Sequence, residues 1–388
     1  MFDTTSFHAL LASVVIASAG VPALAQTTDD PDLAKKRQLL DERYAIGPTA
    51  AGDINYRIAW QAVVDKQEGE LLRANVFGDD VFVIAPRNRM TRLDRANGRP
   101  IWTSTVADSL DAVWGITPGP LVGQRDSEKV YVTTDPVIMV IDHATGAVVG
   151  RQELDRIPST DVVPFGNYLI FGTRSGRIVW HQYLIGQGWK ANQLKGPIQG
   201  APIRVGDTDI AVASIGGTLL VIDGRNARRV WGTNLFDGVY THLATGSGYV
   251  LAASRDQYLW AFDAGNGEVR WRYFTESPLN TPPTVIGEGV LQWVPSEGLV
   301  CLELDSNDAV EGKVRWKLPG ASGTIVGQIH DNALIFDSEN KLLRLIDMKQ
   351  GAEIKTIHLP KLRSIQLVDD QIYALGDGSL IQRLDPIH

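Results

Sequence analysis

The turn "FDAGNGEVRW" sets Asp263 four residues before Gly267 and eight before Trp271. A carboxylate beside a glycine bend could hold a metal or a ligand. "LDSNDAVEGKVRW" gathers more oxygens, from Asp305, Asn307, Asp308 and Glu311. A calcium loop needs roughly six to eight oxygens in a set order closed by a bidentate Glu, and these residues do not follow it. Thiol chemistry rests on one residue, Cys301, inside the apolar strand pattern "GLVCLELD". There a cysteine serves as a small buried side chain rather than a nucleophile. Beyond residue 25 the histidines are His143, His181, His242, His330, His358 and His388, and no two are spaced as a metal pair. HExxH, CxxC, GxSxG and phosphate-cradling glycine loops do not occur. The sequence therefore assigns no catalytic, cofactor-binding or metal-ligating residue.

The same grouping recurs along the chain, which changes its meaning. "LDRANGRPIW" supplies Asp94, Gly98 and Trp102. "IDHATGAVVG" supplies Asp142 and Gly146, with Gly150 where Trp would stand. "IDGRNARRVW" supplies Asp223 and Trp231, with Ala227 in the Gly place. Asp305, Gly312 and Trp316 form an expanded copy, Asp347 and Gly351 a copy without Trp, and Asp385 ends the series. A degenerate copy carries Gln182, Gly186 and Trp189. Anchors about 40 residues apart mean a repeat architecture. Asp caps a turn by accepting backbone N–H bonds, Gly supplies a positive φ, and Trp fills the wedge to the next repeat. The grouping reads as structural punctuation.

Each anchor closes a pair of short apolar strands, such as "GYVLAAS" and "QYLWAFD" before the turn at Asp263. Strand pairs joined by polar turns are β-hairpins. An outer strand with the Trp follows, and a weak strand such as "APIRVG" or "PPTVIG" precedes. Four strands per repeat predict an all-β, eight-bladed β-propeller of antiparallel blades over residues 54–388. Seven blades would result if the Gln182 copy were an insertion. The Asp385 copy stops before its outer strand, and "INYRIAWQAVV" with Trp60 is an outer strand lacking its own turn. The N-terminal strand is predicted to close the last blade, which removes an open edge.

Residues 1–25 read as a signal peptide. The apolar run "ALLASVVIASAG" is followed by "ALA", which predicts cleavage before Gln26 and a periplasmic or secreted product. The run is shorter than the roughly 20 residues of a membrane helix, so no stable membrane insertion is expected. A net charge of −8 argues against nucleic acid as a partner. Residues 26–50 form an N-terminal helical segment, starting at Asp30-Pro31 and stopped by "GP" at 47–48.

The repeated Asp-x-x-x-Gly-x-x-x-Trp motif resembles that of pyrroloquinoline-quinone-like propellers, and the resemblance covers roughly residues 54–388. Within that group the chain is similar in length, blade count and export to BamB-like scaffolds of outer-membrane β-barrel assembly. The resemblance implies a non-catalytic scaffold with a protein partner and no quinone. The quinoprotein dehydrogenases differ by a longer chain and a vicinal cysteine pair. BamB-like proteins are usually lipoproteins, whereas this chain has "ALAQ" and no lipid-bearing Cys there. The alternatives are a reduced quinoprotein oxidoreductase and a carbohydrate or peptide sensor module.

Aligning the repeats places Trp114, Thr160, Gln199, His242, Asn280 and Arg363 near the loops that lead into the innermost strands, with Tyr240 and Asp161 beside them. This mixed polar and aromatic set suits recognition of a protein partner or an envelope glycan more than acid–base chemistry. "DSLDAVWGITPGPLVGQRD" (108–126) reads as the longest connection and offers Trp114 as a contact. The chain is expected to be a monomer.

Overall fold

A computed structural model describes residues 31–64, 69–119, 129–306 and 310–387. The predicted signal peptide and the Asn307–Asp308 pair lie outside the described residues. The strands form eight four-stranded antiparallel sheets, so the Gln182 copy is a full blade and not an insertion. Blade 1 runs from Arg73–Phe77 to Pro100–Thr105, and blade 2 from Val113–Gly119 to Val148–Glu153. Blade 3 spans Val163–Phe165 to Gln187–Gln193, and blade 4 Ile203–Val205 to Arg229–Asn234. Blade 5 spans Ala244–Gly246 to Val269–Phe274, and blade 6 Thr284–Ile286 to Val314–Leu318. Blade 7 spans Thr324–Ile329 to Glu353–His358. Blade 8 takes three strands from Leu362–Val368 to Leu380–Pro386 and its outer strand from Tyr56–Val63. The chain ends are thus zipped together, with Trp60 opposite Arg383.

One device joins blade to blade. The indole of Trp60 donates to Arg95 O at 2.9 Å, and that of Trp102 to His143 O at 2.9 Å. Trp231 donates to Ala264 O, Trp271 to Leu304 O and Trp316 to Met348 O in the same way. Each acceptor follows the last residue of the third strand in the next blade. Asp turns behave as capped bends: Asp263 Oδ1 accepts from Gly265 N and Asn266 N, and Asp347 Oδ1 from Lys349 N and Gln350 N. These bonds, with Arg270 the strongest contributor at Asp263, hold its carboxyl below the usual range.

The glycine has a second duty. Gly98 has φ 72°, and a Cβ there would lie 2.4 Å from the Trp60 ring. The indole of the preceding blade sits directly on it. Ala227 tolerates the same left-handed bend, φ 57°, because the outer strand of blade 3 puts no indole over it. The wedge there is Trp180, from the third strand, which is fully buried and donates to Gly224 O at 2.9 Å. Trp189, the expected wedge, is 39% exposed and stacks on Tyr168 instead. The reading of Asp305 as an anchor also needs correction. The third strand of blade 6 ends at Glu303, and Trp271 caps Leu304, so Glu303 holds the anchor position. Asp305 lies in the following loop and accepts from Tyr249 Oη at 2.9 Å.

The N-terminal segment differs from its prediction. It forms two helices, α1 (Pro31–Asp41) and α2 (Pro48–Asp53), so the Gly47-Pro48 pair opens a second helix rather than ending the segment. Proline is favoured at that first-turn position, where its lost N–H has no partner anyway. Ile46, Ala50, Ala51 and Ile54 are buried with Phe336, Leu345 and Leu384, between blades 7 and 8. Blade 7 carries Lys355 where blades 1, 4, 5, 6 and 8 carry Trp, and this segment fills the wedge instead.

Acid tests another capped turn, the one between the second and third strands of blade 7. Asp337 is buried at the blade 7 turn, and its carboxylate accepts from Ser322, Glu339 N and Asn340. Burial alone would raise its pKa, but the hydrogen bonds win and lower it to about 2. The folded value lies below the unfolded one, so this stability is present above about pH 4 and lost as pH falls toward 2. It amounts to about 1–2 kcal/mol. Asp337→Asn is expected to flatten the pH dependence of the urea midpoint in that window by this amount.

Candidate functional site

Strands within a blade alternate in direction, so the loop into the first strand and the turn between the second and third open at one end of the ring. Gln199, Tyr240 and Asn280 hold equivalent places at that end. The residues before them, Ile198, Val239 and Leu279, each donate to the carbonyl of the residue just past a second strand: Thr173, Ser214 and Ser254. Gln199 and Asn280 are exposed, and Tyr240 is 37% exposed. Arg255, from the blade 5 turn, lies 5.0 Å over the Tyr240 ring and donates to Asn280 Oδ1 at 3.2 Å. One guanidinium therefore ties two of the predicted residues together. Four residues from Tyr240, Phe236 stands 89% exposed at the tip of the same loop.

The remaining predicted residues separate. Thr160 is buried; its hydroxyl accepts from Gly172 N at 2.9 Å and donates to Asp161 O, so it offers nothing to a partner. Trp114 is half-buried and donates to Asp135 Oδ1 at 2.6 Å. It lies on a strand, Val113–Gly119, inside the stretch read as a long connection. Residues 120–128 of that stretch fall outside the described residues. Arg363 is exposed, with Glu70 and Asp377 carboxylates at 3.7 and 3.9 Å. His242 is exposed, two residues past Tyr240; partial desolvation holds its pKa below the usual value, although Asp161 pulls the other way.

Sequence reasoning missed Arg73, Phe236 and Arg255. Arg73 forms a bidentate pair with Asp161, both bonds at 3.0 Å, and so links blade 1 to the loop before blade 3. Pairs between blades two repeats apart leave no periodic signal. Phe236 stands in a polar turn of its repeat, where an apolar residue with no burial pattern was the available clue.

Residues 166–331, which run from blade 3 into blade 7, match the family model described as outer membrane protein assembly factor BamB. The structure of BamB from Moraxella catarrhalis superposes with a TM-score of 0.67 at 15% identity, covering 85% of this chain and 97% of that one. The chain is an eight-bladed β-propeller that is similar to BamB from blade 3 into blade 7. A computationally designed protein, Ika8, shares the ring shape with a TM-score of 0.63 at 12% identity, covering 84% of this chain and 98% of its own. No curated protein matches the chain's sequence.

The residues of this propeller do not fit the quinone of the dehydrogenases that its repeat resembles. Their vicinal cysteine pair cannot form from Cys301 alone. That residue is fully buried between blades 6 and 7, and burial pushes its thiol up to about 11. Among the described residues no three His, Cys, Asp or Glu side chains gather to hold a metal ion. No helix among them is long and apolar enough to cross a membrane.

Proposed function

We propose that this chain is an exported, non-catalytic scaffold that docks a protein of the cell envelope on its loop face. The observation that carries the reading is one loop that presents Phe236, 89% exposed, and Tyr240, clamped by Arg255, which is itself tied to Asn280. An exposed phenyl on the same loop as a pre-ordered Tyr–Arg pair is the composition of a binding hot spot. Ordering in the free protein lowers the entropy cost of association. The match to a family described as an assembly factor supports the same reading. The signal-like N-terminus supports export and release before Gln26.

Capture from envelope extracts tests this face. The double variant Phe236→Ser, Tyr240→Ala is expected to recover at least about tenfold less partner, since aromatic hot spots contribute about 2 kcal/mol or more each. Undiminished capture by a variant that keeps the wild-type melting temperature would refute it. Trp114→Ala is a poor probe, because its indole is bonded inside the chain.

A further inference from the structure

We propose that the outer edge of blade 7 receives an extended segment of a partner protein as a fifth strand, with a large apolar side chain of that segment seated in the groove walled by α1 and α2. This contact is separate from the loop face, because neither Phe236 nor Tyr240 lines the groove.

The ring itself shows what such an edge takes. The outer strand of a blade has a neighbour on one side only, so alternate residues point their N–H and C=O groups outward. At blade 5 the chain covers that edge with its own backbone. Arg272 N donates to Val310 O at 3.2 Å, and Arg272 O accepts from Gly312 N at 2.8 Å, in a parallel bridge to Glu311. Arg272 follows the Trp place and lies opposite Trp260, beside a register shift. Thr356 holds the equivalent place in blade 7: it follows Lys355 and lies opposite Arg344, beside the same shift. Its N–H and C=O therefore point outward as those of Arg272 do, and no described residue bonds them.

Blade 7 adds a pocket to that edge. A cavity of about 580 Å³ starts at Ile357 and His358, the residues after Thr356, and runs between the strand end and the two helices. Its apolar walls are Tyr44, Ala45, Ala50, Ile357, Leu359 and Pro360. Ala45, Ala50 and Leu359 are buried, so the cavity has its floor in the core. Side chains of paired strands share a side, so the added residue opposite Ile357 points with it toward the cavity. Charge does not choose the occupant. Asp41 accepts from Thr49 N at 3.0 Å, Asp53 pairs with Lys355 at 2.9 Å, and Lys361 donates to Glu42 O. Arg37 and Glu42 stand exposed at the rim with opposite signs. Backbone and shape choose instead: main-chain bonds hold the segment, and the pocket reads its side chain.

A displayed library of random short peptides, panned against the full chain, supplies the probes. Enriched peptides are expected to share one large aliphatic or aromatic residue and no common charge. Replacing that residue by Ala is expected to weaken binding at least about tenfold by fluorescence anisotropy. Methylating the peptide's backbone nitrogens one at a time is expected to cost about tenfold or more at every second position and less than about twofold between, because alternate N–H groups face the edge. Thr356→Pro removes the outward N–H without touching the ladder. It is expected to weaken the peptides at least about tenfold at an unchanged melting temperature. Thr103→Pro, at the equivalent edge of blade 1, is expected to change affinity less than about twofold. An empty selection, a methyl scan without alternation, or equal affinity for Thr356→Pro and wild type overturns the proposal. The methyl scan uses the wild-type chain, so it decides even where the proline variant fails to fold. Phe236→Ser with Tyr240→Ala is expected to keep the peptides while losing partner capture, which keeps failure of one reading apart from failure of the other. Peptides lost in that variant and kept by Thr356→Pro belong to the loop face and sink the edge.

Discussion

Trp271→Ala is expected to destabilise the ring by about 4 kcal/mol, read as a lowered urea midpoint at unchanged slope. Trp271 is fully buried, and its indole donates to Leu304 O at 2.9 Å within a buried contact. Its ring also lies against Gly312, where an added Cβ would come within 2.8 Å. Truncation therefore opens a cavity and leaves a carbonyl without its donor, and the two costs add. The loss falls on the seam between blades 5 and 6, where Leu279, Val290 and Leu302 share the same core. In a ring each blade depends on its neighbours, so the whole transition shifts. Trp189→Ala supplies the contrast. Trp189 is 39% exposed and touches Tyr168 on its own blade, so its loss is expected to cost about 1 kcal/mol or less. Equal losses for the two residues would mean that the indole-to-carbonyl clasp is not what joins the blades.

The same contrast shows where sequence reasoning holds and where it stops. Strand alternation and the repeated turn mark all eight blades, and a Trp60 strand without a turn reveals the closure confirmed by the Tyr56–Val63 pairing. Each of those signals is local and recurs. Substitutions between blades are not. Ala227 looks like a decayed glycine until the structure shows that no indole lies over it. Gln152 looks like an ordinary outer-strand residue until its amide is found doing the bonding of the absent Trp. At blade 6 the eye is drawn to Asp305, yet the strand ends two residues sooner, at Glu303. The site follows the same rule. Gln199 and Asn280 align because they repeat, but the alignment puts His242, two residues past Tyr240, in the equivalent place that Tyr240 holds; Arg255 binds Tyr240 and Asn280 from another turn and has no counterpart to align. Thr160 illustrates the opposite error: it lies near the expected place in sequence, but its side chain turns inward to Gly172 N.

Polar pairing at the last seam gives the second large effect. Ile46 is fully buried, and its backbone exchanges two hydrogen bonds with the Gln382 side chain: Ile46 N donates to Oε1 at 3.0 Å, and Nε2 donates to Ile46 O at 2.8 Å. Gln382 is itself fully buried. A glutamine amide satisfies one donor and one acceptor of a chain that is neither helix nor strand at that point, which is why the wedge can be built from irregular backbone. Gln382→Leu leaves both backbone groups unpaired and is expected to cost about 2–5 kcal/mol. Ile46→Asp buries a carboxylate with no cation opposite it, at a cost of about 3–5 kcal/mol. Removing the chain only as far as Leu40 takes away most of α1, whose Leu39 and Leu40 are already exposed, and is expected to change stability by less than about 1 kcal/mol. Hydrogen exchange locates the damage. Amides of the second strand of blade 8, Gln371–Gly376, should lose protection in both point variants, because that strand packs directly on the plug. Full protection there, together with loss in the truncated chain, would assign the stabilising role to α1 and overturn the view that residues 45–54 serve as the wedge between blades 7 and 8.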